Sequence, residues 1–423
     1  MPLYEEYEKL GEELERSEGE TETESHGWYP DQNNPPDGFP KMPEPSPEPG
    51  TNTPELFLKV SKARPLILVP GIMGTALERF DRGSQGPFNV RAIWPPVNLA
   101  SSDTTRLDNL SAQQLRPQET SNNPLVQGAY DGLIAFLTNE LGYELGKTLF
   151  IFGYVWTQSN EISGRRLAGF IQLVNAKFNW GNTPQDDRKP DIICHSMGGL
   201  VSRAAMRIWG AQVKRTIYLA SPHYGAPLAY GALHPDVTRV PFYADFAARM
   251  TTNLSSTDSL DSTLLRLASQ FESVYELLPD EFYFPMQAKG IVEIDDVGDN
   301  TFPTDLDTTY YDNSISRLPN KTKVEEAMQF KKRLGSQLPG ERYFVIASKS
   351  EITKNFAEMN EAGGIVLNGF MKTEGKTPNG DGTVPAYSGE GPDLRVLVTG
   401  KHTVLPNLRE TFWWIAFFLA VTG

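Results

Sequence analysis

The chain has one cysteine, Cys194, in 423 residues, so no intrachain disulfide can form and no thiolate cluster can gather a metal. Histidine is almost as scarce, at five. No spacing among these histidines, Cys194 and the carboxylates suggests a metal site, and neither a metal nor a cofactor is expected. Net positive charge is also missing. The formal net charge is −14, and residues 1–50 hold 14 acidic against 3 basic residues, which leaves the rest of the chain nearly balanced. That distribution carries no basic footprint for nucleic acid. Long apolar runs are lacking too: the longest, 412–421, is half of the about 20 residues that a bilayer span takes. No basic n-region with a following apolar h-region opens the chain. The default expectation is a cytoplasmic protein, with signal-independent export left open.

What is present suffices for a large core, with 39% hydrophobic and 11% aromatic residues. Residues 1–55 read as an acidic, Pro-rich tail. Leu3, Tyr7, Leu10 and Leu14 form one stripe of a short helix, and residues 21–55 have a linker's composition. An isolated helix of that length is marginal in water. The tail therefore reads as a disordered solubilising segment, with docking to a protein partner as its alternative role.

The globular domain is expected over residues 56–423. Apolar runs at 64–69, 148–155, 191–195, 213–220, 342–347 and 394–398 predict strands. Helical spacing predicts helices over 131–141, 160–178, 198–209 and 408–420. This alternation argues for a mostly parallel sheet with helices on both faces. Residues 228–290 read as an inserted helical cap, 78–128 as an ordered excursion without clear periodicity, and 291–340 as irregular.

The chain is organised around Asp191-Ile-Ile-Cys-His-Ser-Met-Gly-Gly-Leu-Val201. A buried-strand pattern runs into a small-residue turn and then a helix. Such an elbow lifts Ser196 clear of the sheet edge and aims helix N–H groups at whatever its hydroxyl attacks. Cys194 stands where a glycine is usual. As a nucleophile it would lie within the strand end, pointing away from the elbow.

A serine hydroxyl needs a base, and the base needs a carboxylate to orient it. Of the five histidines, only His402 lies well downstream of the serine and just after a predicted strand. His26 belongs to the tail, His195 points away from the hydroxyl, and His223 and His234 fall too early; these four read as structural. The carboxylate is Asp381, which Gly380 and Gly382 present on a sharp turn between the serine and the histidine, the order expected of the set. Two N–H donors should meet the developing negative charge. One is Met197. The other comes from the glycine-rich turn 70–75, where Ile72 is chosen and Met73 stands next. A phosphate-cradling role for that turn is weak, because no Gly-Lys-Ser/Thr follows.

Further segments join these in one order: Val69-Pro-Gly-Ile-Met-Gly-Thr-Ala-Leu-Glu78, Trp94-Pro-Pro96, Phe152-Gly-Tyr-Val-Trp156, Ser221-Pro-His-Tyr-Gly225, Ser273-Val-Tyr-Glu-Leu-Leu-Pro279 and Gly380-Asp-Gly-Thr-Val-Pro385, followed by His402. Together they resemble a bacterial-type member of the lecithin–cholesterol acyltransferase-like branch of the α/β-hydrolases. The resemblance covers roughly 64–420 and is poorest in the cap and over 291–340. It implies an α/β-hydrolase fold, Ser196, Asp381 and His402 at the triad positions, and Met197 and Ile72 at the oxyanion positions. It also implies lipid acyl esters as substrates. Where the family often has Tyr-Asp-Trp-Arg, this chain has Tyr154-Val-Trp-Thr157, so that acidic–basic pair is lost. A disulfide-held membrane-binding lid is excluded by the single cysteine.

The expected activity is that of a lipase, phospholipase, esterase or O-acyltransferase working through an acyl-enzyme on Ser196, with peripheral membrane contact in keeping with a lipid substrate. The alternative from another class is a non-catalytic interaction protein that keeps the scaffold and docks through its acidic N-terminal segment.

Overall fold

A computed structural model describes residues 60–81, 89–94, 115–117, 124–233, 267–280, 292–294, 318–353, 356–359, 371–372, 378–390 and 395–420. The tail expected over 1–55 and most of the cap expected over 228–290 lie outside them.

The first strand, β1 (Leu66–Val69), is apolar and buried at every position, as a strand covered on both faces requires. Three short strands follow: β2 (Leu77–Asp81), β3 (Asn89–Trp94) and β4 (Leu115–Pro117), paired antiparallel in the order β3-β2-β4. Periodicity over 78–128 does not reveal them. A buried Glu78 on β2 pairs with Arg116 on β4 at 2.8 Å, so charge stands where an apolar alternation would otherwise announce a strand.

The chain continues through α1 (Asp131–Ala135), extended by a π-helical turn over Phe136–Glu140, then β5 (Leu149–Ile151), α2 (Asn160–Lys177), β6 (Asp191–His195), α3 (Gly198–Arg207), β7 (Arg215–Leu219) and α4 (Pro227–Leu233). Beyond these come α5 (Glu272–Tyr275), β8 (Val292–Ile294), α6 (Lys321–Leu334), β9 (Arg342–Ser348), β10 (Phe356–Met359), β11 (Met371–Lys372), α7 (Ala386–Glu390), β12 (Arg395–Val398) and α8 (Arg409–Ala420). The six strands β12-β9-β7-β6-β1-β5 form one sheet in that order, and every neighbouring pair is parallel. A second small sheet has the order β11-β10-β8.

Side chains alternate across a strand, and this divides the core in two. Ile67, Val69, Ile192, Cys194, Tyr218, Tyr343 and Val345 join Leu167, Ile171 and Val174 of α2 and Val201 and Ala205 of α3 on one face. Leu66, Leu68, Ile193, Ile217, Leu219, Phe344, Ile346, Val396 and Val398 join Leu133 of α1 and the aromatic face of α8 on the other. Phe344 and Phe418 stack there with ring centroids 4.1 Å apart. At roughly 1.5–3 kcal/mol for each large apolar side chain buried, these two layers dominate stability. Among the described residues, no helix is long and apolar enough to cross a membrane.

Two expectations need correction. The strand expected over 148–155 stops at Ile151, because the residues after it turn aside to hold the 70–75 loop. Residues 291–340 are not irregular throughout, because 321–334 form α6. Asn320 caps that helix by accepting the Lys323 N–H at 3.1 Å, and Val324, Ala327, Phe330 and Leu334 recur on its buried face.

The N-terminus of α2 is closed from a distance. Ser159 Oγ donates to Glu276 at 2.6 Å, the Asn160 N–H donates to the same carboxyl at 2.6 Å, and the Ser159 N–H donates to Glu272 at 3.1 Å. A helix N-terminus welcomes negative charge. Burial nevertheless outweighs both hydrogen bonds and pushes Glu276 up to about 8 from an ordinary 4.5. The folded state therefore keeps a proton that the unfolded chain releases. Stability falls as pH rises from about 4.5 to about 8, by at most roughly 1.4 kcal/mol per pH unit. Glu276→Gln should melt like the wild type near pH 5 and a few degrees above it near pH 8.5. A melting difference that stays constant across that range would contradict this assignment.

Candidate active site

The site lies at the carboxyl end of the main sheet, where β6 turns into α3. Ser196 occupies the turn with φ 53°, a left-handed conformation that costs a non-glycine residue about 1–2 kcal/mol. Close packing around the turn keeps it there. A Cβ at Gly198 would stand 2.5 Å from the Pro70 carbonyl oxygen, and one at Gly199 2.2 Å from Ser221 Oγ. Only glycine lets α3 begin so near β1 and the loop after β7. Cys194 fits two residues before the serine because its thiol is packed on the α2 and α3 face of the sheet, 3.6 Å from the Ile217 carbonyl. Burial holds that thiol far above its ordinary pKa, which gives no support to a cysteine nucleophile.

His402, on the loop between β12 and α8, places Nε2 2.8 Å from Ser196 Oγ. Its Nδ1 lies 2.7 Å from Asp381 Oδ2. The other carboxylate oxygen, Oδ1, accepts the N–H groups of Thr383 at 2.9 Å and Val384 at 2.7 Å. The His402 N–H donates to the Asp381 carbonyl at 2.9 Å, so backbone as well as side chain joins the two loops. All three residues are buried. The structure thus brings together Ser196, Asp381 and His402, which lie far apart in the chain.

The 70–75 loop stands over the same point. Aromatic donors take up its carbonyls: Tyr154 Oη binds the Pro70 oxygen at 2.9 Å, Trp94 Nε1 the Met73 oxygen at 2.8 Å, and Trp156 Nε1 the Thr75 oxygen at 3.2 Å. Met73 is itself held at φ 62°. With its carbonyls fixed, the loop keeps the Ile72 N–H unspent, and the same holds for Met197. Among the described residues, neither N–H donates to a backbone acceptor. Both remain candidates for an incoming oxyanion.

Beside Ser196 lies an apolar groove of about 480 Å³ including its open mouth. Ile72 lines it, together with Ala226, Ala229 and Ala232 of the α4 region and Val274 and Leu277 of the α5 region. The alanines keep the groove open where larger side chains would fill it.

The remaining histidines divide. His26 and His234 lie outside the described residues. His223 is buried, and its backbone N–H donates to the Ser388 carbonyl at 3.0 Å. His195 turns away from the hydroxyl as expected, yet it is more than filler: it contacts the Tyr130 hydroxyl at 2.9 Å and the His402 carbonyl at 3.2 Å. Nothing in the sequence marks Tyr130 as part of the site.

A parallel sheet of this order, with a strained serine at a strand-to-helix elbow, defines the α/β-hydrolase class. The model of the PGAP1-like alpha/beta domain matches residues 170–279. Lecithin-cholesterol acyltransferase-like 4 of Arabidopsis thaliana is 27% identical over 192 residues, covering 38% of this chain and 35% of that protein. Phospholipase A(1) LCAT3 of the same plant is 27% identical over 209 residues, covering 42% of this chain and 45% of that protein. The chain therefore spans less than half the length of these curated relatives. Among solved structures, the Tle4-Tli4 complex shares the fold, with a TM-score of 0.56 and 14% identity over 84% of this chain and 98% of that one. The chain therefore has the α/β-hydrolase fold, and over part of its length its sequence is similar to lecithin–cholesterol acyltransferase-like proteins.

Proposed function

We propose that the chain is a serine-dependent acyl-ester enzyme acting on lipid-like esters, with Ser196 as nucleophile, His402 as base and Asp381 as its orienting carboxylate. The observation that carries this reading is the hydrogen-bonded line Ser196–His402–Asp381, at 2.8 and 2.7 Å, opening beside an apolar groove. In the productive tautomer, His402 keeps its proton on Nδ1, donated to Asp381, and presents a lone pair on Nε2 to the serine. The serine oxygen attacks the ester carbonyl as its proton moves to Nε2. The carbonyl oxygen becomes an oxyanion, held by the N–H groups of Met197 and Ile72. Collapse breaks the ester bond, and the leaving alcohol takes the proton from Nε2. An acyl-enzyme remains, its chain in the groove lined by the three alanines. Water or an alcohol then repeats the sequence, giving a free acid or a new ester.

Lipid-like substrates are favoured because the groove's lining is mostly aliphatic and because the relatives are named as a lecithin-cholesterol acyltransferase-like protein and a phospholipase. The test is intact-mass analysis after a fluorophosphonate, followed by peptide mapping. A single adduct on Ser196, together with release of acid from p-nitrophenyl esters of increasing chain length, is expected. No adduct with or without lipid present would overturn the reading.

A further inference from the structure

His195 ends β6 one residue before the nucleophile and is buried, as is Tyr130 at the start of α1. Four groups form a continuous chain. The Gly71 N–H lies 2.8 Å from Tyr130 Oη, Tyr130 Oη lies 2.9 Å from His195 Nδ1, and His195 Nε2 lies 3.2 Å from the His402 carbonyl oxygen. Donor accounting allows one arrangement. A carbonyl only accepts, so His195 Nε2 carries a proton. Burial foremost, and then the neighbouring His402, hold this imidazole well below the ordinary histidine range. It is therefore neutral, and Nδ1 has a lone pair. The Tyr130 hydroxyl has one proton, which goes to Nδ1, and its oxygen accepts the Gly71 N–H. Every bond is spent and none can be reversed.

The ends of this chain are informative. Gly71 immediately precedes Ile72, whose N–H is the oxyanion donor proposed above. His402 is the proposed base, and its backbone is gripped on both sides: its N–H by the Asp381 carbonyl and its carbonyl by His195. The His195 and His402 rings lie 4.9 Å apart.

We propose that His195 and Tyr130 are positioning residues, which set the oxyanion loop and the base relative to Ser196 without touching substrate. The proposal rests on the reading of Ser196 as nucleophile. It assigns a function to a histidine and a tyrosine that lie outside the triad, and it predicts that the two ends of the relay can be cut separately. Tyr130→Phe removes the hydroxyl that holds Gly71. His195→Asn keeps an acceptor near the Nδ1 position but loses the donor to His402. His195→Gln keeps a donor near the Nε2 position but loses the acceptor for Tyr130.

The first measurement is ¹⁵N NMR of histidine rings in the wild type, which five histidines make tractable. One ring should show a protonated Nε2 and a bare Nδ1, unchanged from about pH 5 to 9, and it should vanish in His195→Asn. The second is steady-state kinetics on an acyl ester. Tyr130→Phe and both His195 variants should lower kcat about ten- to a hundredfold, the scale of a small misplacement of reacting groups. KM should stay within about twofold, and melting within a few degrees of wild type, because no substrate contact is removed.

A His195 ring that titrates in this range, or that carries its proton on Nδ1, would overturn the relay. Wild-type kcat in Tyr130→Phe and His195→Gln, in an enzyme whose Ser196 is phosphonylated, would overturn the positioning role alone. Failure of the wild type to be phosphonylated would instead remove the nucleophile reading, and the positioning role with it, whatever tautomer is seen.

Discussion

Asp381→Asn is expected to lower kcat about ten-thousandfold while leaving KM nearly unchanged, the scale measured for this change in the serine–histidine–aspartate template. Here the size of the effect follows from which atoms are already committed. Asp381 Oδ1 accepts two backbone N–H groups, from Thr383 and Val384. An asparagine at 381 must keep its carbonyl oxygen in that place, because an NH₂ group there would face two donors and leave all of them unpaired. Its NH₂ group then faces His402 Nδ1, which becomes an acceptor. That puts the imidazole proton on Nε2, toward Ser196, and a protonated Nε2 cannot accept the serine's proton. Geometry survives and the tautomer is wrong. Ser196→Ala should lose more, and adding Asp381→Asn to it should cost almost nothing further, since residues that act as a unit are not additive. Fluorophosphonate labelling rates and steady-state kinetics on folded variants measure all three. An Asp381→Asn enzyme within tenfold of wild type would remove Asp381 from the mechanism. Asp381→Ala is a poorer probe, because it orphans the Thr383 and Val384 N–H groups and so mixes stability with chemistry.

That Ser196, Asp381 and His402 come together was legible in the sequence for physical reasons. A nucleophile elbow needs small residues next to the serine, and Gly198 and Gly199 cannot carry a Cβ where they stand. A carboxylate on a sharp turn needs its flanking glycines, and scarcity singled out one histidine. The six strands of the main sheet were visible because both of their faces are apolar. Tyr130 was not legible, because its role depends on α1 bringing a hydroxyl to Gly71 and His195 across three separate segments. The small sheet β3-β2-β4 was hidden by its length and by a buried ion pair. Helix α6 did leave a signal, in the Asn320 cap and the spacing of Val324, Ala327, Phe330 and Leu334, but the acidic irregular run before it obscured that signal. In the sequence, the aromatic donors Trp94, Tyr154 and Trp156 stand out only as parts of a resemblance. Their physical use is to take up the carbonyls of the 70–75 loop.

Arg203→Met should cost roughly 3–5 kcal/mol, because three buried carbonyls lose their donor at about 1–3 kcal/mol each. Arg203 lies on α3, directly behind the elbow, and is fully buried. Its guanidinium donates to the His223 carbonyl at 2.9 Å, to the Leu334 carbonyl at 3.4 Å and to the Gly335 carbonyl. Two of these acceptors belong to the C-terminal end of α6, where the helix dipole favours a cation. The third belongs to the loop that leaves β7. One side chain therefore ties the elbow helix to two elements that have no backbone pairing with it. Burial lowers the pKa of the guanidinium, and nearby Asp280 counters it. The group stays charged, because arginine does not release its proton in proteins. Lys331 is buried nearby and donates to the Leu278 carbonyl at 2.6 Å, with Asp280 3.3 Å away, so one carboxylate serves two interior cations. Methionine keeps the bulk but leaves three carbonyls without their donor. The expected fall in melting temperature is roughly 4–6 °C. Arg203→Lys should lose part of that, since an ammonium cannot fork to three separated oxygens. Turnover per folded molecule should change little, because Ser196, His402 and Asp381 keep their own bonds. A methionine variant that melts within about 2 °C of wild type would show that the three carbonyls find other donors and that the clamp holds nothing.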